Sequence, residues 1–297
     1  MIQKTVCPVR IFVLLVLFVL FFGGGPQWVF STEAEPVSLK APTKIPQGEV
    51  VLLSLPPEFK GEPVEGKLSG RKVFFFADPE SGRMTALVGA DLDDKAAKGE
   101  LEVVVNAAGK AVEHRFPVEI LAVKYPTQEL SVDKKYVDLD PETLKRVQKE
   151  QKKIIGTMNK VTPERIWSAP FLQPVDGKVS GAFGKRRIFN GQPRKPHSGE
   201  DFAAPKGAEV RAPTEGVVAL VGDFFFTGNS VFLDHGLGLY SMFFHLDTTT
   251  VSLGDRIEKG QVLGTVGSSG RATGPHLHWG MRLNGARVNP LSFLNIR

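Results

Sequence analysis

The chain has 297 residues, of which 42% are apolar and 23% charged, a balance typical of globular proteins that excludes wholesale disorder. Such a length is too great for one ordinary core and fits two domains. The formal net charge is +5, divided into +1 for residues 1–34, −3 for residues 35–123, +3 for residues 124–160 and +4 for residues 161–297. Because no dense stripe of Lys and Arg accompanies this mild basicity, we expect no nucleic-acid partner.

Residues 1–34 have the features of an export signal. Lys4 and Arg10 precede an unbroken apolar run at residues 11–22, and a Gly-Gly-Gly-Pro sequence ends that run. A membrane-spanning helix needs about 20 apolar residues, so the short run favours a cleaved secretory signal. We therefore expect export to the periplasm or cell envelope.

An uncleaved membrane anchor over residues 11–30 is the alternative, and a membrane partner is expected only in that case. Residues 32–34 offer the small side chains of a cleavage site. The single cysteine, Cys7, lies before that site. A cleaved mature chain would contain no cysteine, which suits an oxidising compartment.

Residues 35–124 are predicted to form an accessory domain. Short stretches rich in β-branched and aromatic residues are separated by Gly, Pro and Asp. The predicted strands are residues 50–53, 73–76, 85–88, 101–105 and 116–123, with a hairpin turn at 106–109. About 90 residues with this strand spacing predict an immunoglobulin-like β-sandwich. His114 alternates with apolar residues and is interpreted as an ordinary strand residue.

Residues 125–165 are predicted to be a linker that contains a helix. Asp140, Pro141 and Glu142 form a typical helix start, with a capping side chain, a proline at the first position and an acid near the positive end of the dipole. The helix is predicted over residues 140–159. Its apolar positions fall on one stripe: Leu144, Val147, Ile154, Ile155 and Met158. This helix either docks through one narrow face or is a solvated linker, and the solvated interpretation is favoured.

Residues 166–297 are predicted to form an all-β domain. Glycine turns separate its apolar stretches, and no helix is predicted among them. The predicted strands are residues 179–183, 210–212, 216–221, 230–234, 239–245, 261–266 and 276–283. The fold class is therefore mainly β, with a β-sandwich, a connector helix and a second β domain.

Histidines are concentrated in this last domain, which holds five of the six. In a strand, His276 and His278 point to the same face, while Leu277 points to the other. Two neutral histidines buried side by side without a metal would be unusual. The pair therefore predicts a metal site.

A second segment offers further metal ligands. His197 and Asp201 are four residues apart, and the Pro and Gly residues around them favour a loop that runs into a strand. Together with the strand pair, this segment supplies two histidines and one aspartate. Three protein ligands with one open position are the composition of a catalytic zinc site, whereas structural sites are closed by four. His235 is interpreted as a turn residue or a neighbour of the site.

These residues carry a resemblance to a known family. The segments His197-x-x-x-Asp201, Phe244-His245-Leu246 and Gly274-Pro275-His276-Leu277-His278 resemble, in order and rough spacing, those of the lysostaphin-type (LytM-type) zinc peptidases. Further matching segments are residues 181–184, 204–207, 254–255 and 260–264. The resemblance covers about residues 174–292.

The resemblance implies a LytM-type peptidase domain with one zinc per chain. His197, Asp201 and His278 would be the zinc ligands. His276 would be the base that takes a proton from the attacking water, and His245 would orient that water or stabilise the transition state. Relatives often have a tyrosine at the position of Phe243, so a phenol contribution there is in doubt.

The leading function is then a zinc-dependent endopeptidase that hydrolyses the peptide cross-links of bacterial peptidoglycan. One alternative is a non-hydrolytic module that binds the wall or activates other wall hydrolases, because some relatives keep the fold and lose the ligands. All five expected site positions are occupied in this chain, which favours the enzyme. A secreted protease of other substrates is a third possibility.

The charge distribution also predicts an intramolecular contact. The N-terminal domain is acidic and the C-terminal domain is basic, so docking between the two would be favoured electrostatically. The corresponding hypothesis is that the acidic domain partly covers the catalytic groove and restrains hydrolysis.

Overall fold

The computed structural model describes residues 43–297, apart from residues 61–63 and 108–109. The predicted export signal and the tip of the predicted hairpin turn lie outside the described residues. All described residues belong to one compact unit, and the domain boundaries at residues 124 and 165 stay predictions. Within the described part of the chain, no helix is both long and apolar enough to cross a bilayer.

The first seven strands form a continuous sheet in the order β1-β7-β6-β3-β4-β5-β2. Strand β4 pairs with β3 through residues 71–74 and with β5 through residues 75–77, so the sheet bends around one core. Leu55, Leu101 and Phe116 are fully buried in that core. The strands are β1 (Thr43–Pro46), β2 (Val50–Ser54), β3 (Val64–Leu68), β4 (Arg71–Ala77), β5 (Met84–Gly89), β6 (Ala97–Ala107) and β7 (Lys110–Leu121).

All five strands predicted in this part are present, and the mainly β class is confirmed. The observed β6 and β7 have 11 and 12 residues and are longer than the predicted stretches 101–105 and 116–123. Their polar residues continue the antiparallel ladder from Ala97 opposite Ile120 to Ala107 opposite Lys110. Strands β1 and β3 were not predicted. Each is short and interrupted by Pro, Gly or charged residues, and pairing with β7 or β6 holds it extended.

The connector contains strand β8 (Thr127–Leu130), a 3₁₀ turn at Lys134–Tyr136 and helix α1 (Pro141–Met158). The Asp140 carboxylate caps α1 by accepting the N–H groups of Glu142 and Thr143 at 2.9 Å. Strand β8 was not predicted because only one of its four residues is apolar. It is stabilised by parallel pairing with Arg186–Phe189, which is strand β10 of the C-terminal part.

Helix α1 docks through one narrow face. Ile154 and Met158 pack against a buried cluster made of Leu220, Phe224, Phe232 and Met242. By contrast, Leu144 and Ile155 are 44% and 46% exposed. The favoured prediction of a solvated linker is therefore wrong, because one part of the apolar stripe is covered by the C-terminal core. The rest of the stripe stays exposed, since it is wider than the contact.

The C-terminal part is dominated by a ten-stranded sheet whose main path runs β17-β14-β15-β16-β19-β12-β9. Strands β10 and β11 join β8 in a separate three-stranded sheet. The strands are β9 (Lys178–Gly181), β10 (Arg186–Phe189), β11 (Gln192–Pro193), β12 (Gly199–Ala203), β13 (Glu209–Arg211), β14 (Gly216–Phe224), β15 (Gly228–Asp234), β16 (Leu239–Thr249), β17 (Arg256–Ile257), β18 (Val262–Val266), β19 (Leu277–Leu283) and β20 (Ala286–Val288).

One helical turn interrupts the predicted all-β pattern at α2 (Pro290–Phe293). The Asn289 side chain accepts the N–H of Leu291, and proline occupies the first helical position. Phe293 is fully buried in the main core together with Trp279 and Phe243. The capping signal for this turn was present in the sequence, but four residues are too few to show helical periodicity.

The N-terminal sheet region and the C-terminal part contact each other away from α1. Arg287 of β20 pairs with Asp91 at 2.5 Å and with Asp93 at 2.6 Å. Asn289 donates to the Glu49 carboxylate at 2.9 Å. These contacts join acidic side chains of the N-terminal sheet to the C-terminal part.

His235 is a buried structural residue that links two strands to a turn. Its Nδ1 lies 2.6 Å from the Glu215 carbonyl and its Nε2 lies 2.7 Å from the Ser241 hydroxyl. Burial lowers the pKa of His235 to about 4, although the Glu215 carbonyl and the charges of Asp234 and Glu215 oppose that shift. The ring is therefore neutral at neutral pH.

Replacing Ile154 by alanine should lower the free energy of unfolding by about 1–2 kcal/mol, because it removes half-buried apolar surface at the α1 contact. The Ile155→Ala variant is the matched control, since its side chain is largely exposed, and should change stability by less than about 0.5 kcal/mol. Urea unfolding of both variants measures the difference. Equal losses would contradict the narrow contact.

Because the pKa of His235 is lower in the folded than in the unfolded state, its neutral form stabilises the fold above about pH 6.5. That stabilisation is lost as pH falls towards 4, by at most about 1.4 kcal/mol per pH unit. We expect the His235→Gln variant to be less stable at pH 7.5 but to lose less stability than the parent between pH 6.5 and 4. The free energy of unfolding of parent and variant, measured between pH 4 and 7.5, tests this role. An equal dependence on pH in the two proteins would contradict it.

Candidate metal and active site

Three ligand-type side chains converge between β12 and β19. Asp201 lies directly opposite His278 in the antiparallel register of these strands. His197, from the loop before β12, completes a group whose ligand atoms all lie within 4.8 Å of one another. His197 Nε2 is 2.9 Å from His278 Nδ1 and 2.9 Å from Asp201 Oδ1, and His278 Nδ1 is 2.8 Å from the same oxygen. All three residues are buried.

The donor set fits a metal ion. His197 Nδ1 lies 3.0 Å from the Ala182 carbonyl, and because a carbonyl can only accept, Nδ1 carries the proton and Nε2 is unprotonated. Two electron-rich atoms, His197 Nε2 and Asp201 Oδ1, thus face each other with His278 Nδ1 beside them. Either a hydrogen on His278 Nδ1 or a metal ion among the three atoms would satisfy both acceptors. Backbone bonding of this kind also fixes the orientation of metal-binding histidines.

Local electrostatics keep Asp201 ionised and His278 neutral. Burial lowers the pKa of His278 to about 4, with help from His197 and Arg187 and against the pull of Asp201. Burial opposes ionisation of Asp201, but contacts with His197 and His278 outweigh it and hold the pKa of that carboxyl far below its usual range. Arg187 pairs with the other carboxylate oxygen of Asp201 at 2.8 Å. Neutral imidazole and ionised carboxylate are the forms that bind metal.

His276 and His245 lie beside the three ligands. His276 Nε2 is 3.9 Å from Asp201 Oδ1, and its Nδ1 is 2.8 Å from the Gly274 carbonyl. The His245 ring is centred 4.8 Å from that of His276 and 6.2 Å from that of His278. Its Nδ1 is 2.8 Å from the Ser269 carbonyl. In both rings the carbonyl holds the proton on Nδ1 and leaves Nε2 free to accept one.

A bulge in β16 places His245 in this position. Phe244 pairs with His278 of β19, whereas Leu246 pairs with Val266 of β18, so His245 is the residue at which the strand changes neighbours. Its φ of 64° is in the left-handed region, which is uncommon for residues other than glycine and is typical of functional sites. Burial, followed by the charges of His276 and His278, lowers the pKa of His245 to about 3.

Two glycines leave room for the ligand side chains. A Cβ on Gly181 would collide with the Asp201 carboxylate, and a Cβ on Gly199 would lie 2.6 Å from His278 Nε2. The Phe244 ring stacks on the His278 ring with an interplanar angle of 2° and a centroid distance of 5.1 Å. Packing therefore fixes the ligand orientations independently of a metal.

The site opens into a groove of about 650 Å³. One wall comes from the C-terminal part, including Phe189, Phe226 and Arg271, and the other from the connector. Within the ranges that the structure describes, no lining residue comes from residues 43–121. The described part of the N-terminal sheet contacts Arg287 of β20 and Asn289 at the start of α2. The hypothesis that the acidic domain partly covers the groove and restrains hydrolysis stays a prediction.

Tyr136 of the connector reaches across to the catalytic side. Its hydroxyl donates to the Gly270 carbonyl at 2.6 Å, and its ring lies 5.2 Å from that of Phe225. Arg194 donates to the Val137 carbonyl at 3.2 Å on the other side of the same connector segment. The connector is thus held at both edges of the groove.

Several residues discussed in the sequence analysis lie away from the site. Phe243 has no hydroxyl and is fully buried in the core. The hydroxyl of the nearby Tyr240 donates to the carbonyls of Thr157 and Lys160, so it does not supply a phenol to the site. His235 has its own structural partners, and His114 packs edge-on against Phe59 at 4.8 Å. Neither histidine lines the groove.

The five residues predicted for the site lie close together in the structure, but sequence reasoning missed their neighbours. Phe244 belongs to the Phe244-His245-Leu246 segment, but its neighbour Phe243 is also aromatic, so the sequence does not indicate which ring stacks on His278. Arg187 was not singled out from the sequence, and the structure pairs it with Asp201. Tyr136 and Arg271 had no signal in the local sequence, because tertiary contacts alone bring them to the groove.

Comparison with known proteins gives a family match, two curated relatives and one solved structure. Residues 195–290 match the family model described as Peptidase family M23. A stretch of 115 residues is 40% identical to the DD-carboxypeptidase/endopeptidase Mpg of Neisseria meningitidis serogroup B, covering 39% of this chain and 26% of that protein. A stretch of 130 residues is 39% identical to the peptidoglycan DD-endopeptidase ShyC of Vibrio cholerae serotype O1, covering 42% and 30%.

The chain thus matches less than a third of the length of these curated relatives. Similarity to a solved structure is more extensive. A Pseudomonas aeruginosa crystal structure assigned to peptidase M23 is 37% identical, with a TM-score of 0.66 over 86% of this chain and 96% of that one. Because this relative is matched along almost its whole length and residues 195–290 also match the family model, the chain belongs to peptidase family M23.

Proposed function

We propose that this chain is a zinc-dependent endopeptidase that hydrolyses peptide cross-links of bacterial peptidoglycan outside the cytoplasmic membrane. The observation that carries the proposal is the convergence of His197, Asp201 and His278, with His276 and His245 beside them. Names of the relatives, among them a peptidoglycan DD-endopeptidase, support the substrate class. The apolar run at residues 11–22 supports export.

Zinc fits the donor set better than a harder cation does. Two imidazoles and one carboxylate suit zinc, whereas calcium and magnesium prefer oxygen ligands alone. Three protein ligands, with no described fourth His, Cys, Asp or Glu in the group, have the composition of a catalytic site. When bound, zinc lowers the pKa of a water molecule and polarises the scissile carbonyl.

The residues around the ligands supply the proton transfers. His276 has its proton on Nδ1, held by the Gly274 carbonyl, so Nε2 can accept a proton from the attacking water. The same ring can then donate that proton to the leaving amine. His245, held by the Ser269 carbonyl, offers a second Nε2 acceptor that orients the water. No covalent intermediate with the protein is required.

The alternative is a module that binds the wall or activates other hydrolases without cutting. The complete set of predicted ligands argues against this alternative. Gly181 and Gly199 also leave the space that the Asp201 and His278 side chains need. Purified sacculi incubated with the full mature chain should release fragments whose masses report hydrolysed peptide cross-links. Binding to sacculi without any released fragment would favour the alternative.

The protein should bind about one zinc per chain, and His278→Ala should weaken that binding sharply by removing a ligand. His276→Ala is the matched control, a neighbouring histidine that is not assigned as a ligand, and should retain the metal. Zinc content after dialysis against a weak chelator measures both. Stoichiometric zinc in the His278→Ala variant would refute the ligand assignment.

The His276→Ala variant should lose most hydrolysis of sacculi, by about 10²–10⁴-fold, because it removes the general base. The absorption spectrum of the cobalt-substituted variant should match that of the parent, which would show that the metal geometry is intact. Parental activity in this variant would exclude His276 as the base. Loss of the cobalt spectrum would assign His276 to metal binding instead.

A further inference from the structure

Three arginines line the groove together with the histidines of the site: Arg187, Arg194 and Arg271. They are not equivalent. Arg187 is neutralised by Asp201 at 2.8 Å. Across the residues that the structure describes, neither Arg194 nor Arg271 forms an ion pair with a carboxylate. The groove therefore contains two guanidinium charges without a protein counter-ion.

Arg271 is held in place by stacking. Its guanidinium carbon lies 4.7 Å from the centre of the Phe189 ring and 4.6 Å from that of Phe226. Its backbone N–H donates to the Phe226 carbonyl at 2.9 Å. A guanidinium stacked between aromatic rings keeps its N–H donors at the edge of its plane available for a ligand.

The loop that carries Arg271 is the loop that positions His245. The Ser269 carbonyl accepts from His245, the Gly270 carbonyl accepts from Tyr136, and Arg271 follows directly. Any peptide that reaches the His245 side of the metal site therefore passes close to this guanidinium. Arg194 lies in the same groove and donates to the Val137 carbonyl and the Gln192 side chain.

The electrostatics of the groove favour an anion at this place. Burial lowers the pKa of Arg271 to about 10, and the charges of Arg187 and Arg194 act in the same direction. The side chain remains charged at neutral pH. A half-buried charge that like charges surround is stabilised by a ligand of opposite sign.

We propose that Arg271, assisted by Arg194, is a specificity residue that binds a free carboxylate of the peptide substrate. This inference rests on the proposed function and adds the chemical class of substrate: a peptide with a carboxylate beside the cross-link. The planar fork of a guanidinium matches a carboxylate with two parallel hydrogen bonds. Stem peptides of peptidoglycan carry such carboxylates.

The test uses the zinc-loaded mature chain and two forms of one substrate. The first is a soluble cross-linked peptide dimer released from sacculi, and the second is the same dimer after its carboxylates are converted to amides. We expect kcat/KM to be about 10- to 100-fold higher for the free acid, as is typical of hydrogen bonds to charged groups. Arg271→Gln should reduce this ratio to near one, because it lowers kcat/KM for the free acid far more than for the amidated dimer.

Two further variants complete the design. Arg256→Gln is the matched control, because Arg256 is exposed on β17 and does not line the groove; it should keep the parental ratio. Arg194→Gln should reduce the ratio partially, and it replaces Arg271→Gln if that variant fails to fold. An unchanged ratio in the Arg271→Gln variant, or an equal loss with both dimers, would overturn the proposal.

Binding of the uncross-linked stem peptide separates this inference from the proposed function. That peptide has the carboxylates but no cross-link to cut, so calorimetry reports binding alone. Preference for the free acid that depends on Arg271, without hydrolysis of either dimer, would support the carboxylate site and refute the endopeptidase. Hydrolysis of the dimer with equal binding of the acid and the amide would refute the carboxylate site alone.

Discussion

The antiparallel register of β12 and β19 is the constraint on which the site depends. It sets Asp201 directly opposite His278, so their side chains meet on one face of the sheet. A shift of one residue would move the two groups to opposite faces and leave a buried carboxylate without its partner. Buried flanking residues, Phe202 and Leu277 among them, fix the register because they occupy the core on the other face.

The bulge of β16 adds what the regular ladder cannot supply. In a regular strand, His245 would point away from the face occupied by Phe244. Because the strand leaves β19 and joins β18 at this residue, the backbone adopts a positive φ and His245 approaches His276 and His278. Regular pairing thus brings Asp201 and His278 together, and an irregularity in the neighbouring strand brings His245 beside them.

Much of this architecture could be predicted from the sequence, because it depends on local rules. The alternation of His276, Leu277 and His278 reports a strand, and the Asp140-Pro141-Glu142 segment reports a helix start that the structure confirms. By contrast, β8 has little intrinsic preference for a strand and exists through its pairing with β10. Other contacts join residues that are distant in sequence, and no local pattern predicts them. Examples are the contacts of Arg187, Tyr136 and Arg271.

Strand β8 has a consequence for where the chain can be divided. It covers one side of β10 through parallel pairing over Arg186–Phe189, while β11 covers the other. A fragment that begins at residue 166 would lose β8 and leave the N–H and C=O groups on that side of β10 without partners. Unpaired edges of this kind recruit strands from other molecules, and self-association follows. The connector therefore completes one edge of the C-terminal part, and a fragment intended to keep β10 paired on both sides should begin before Thr127.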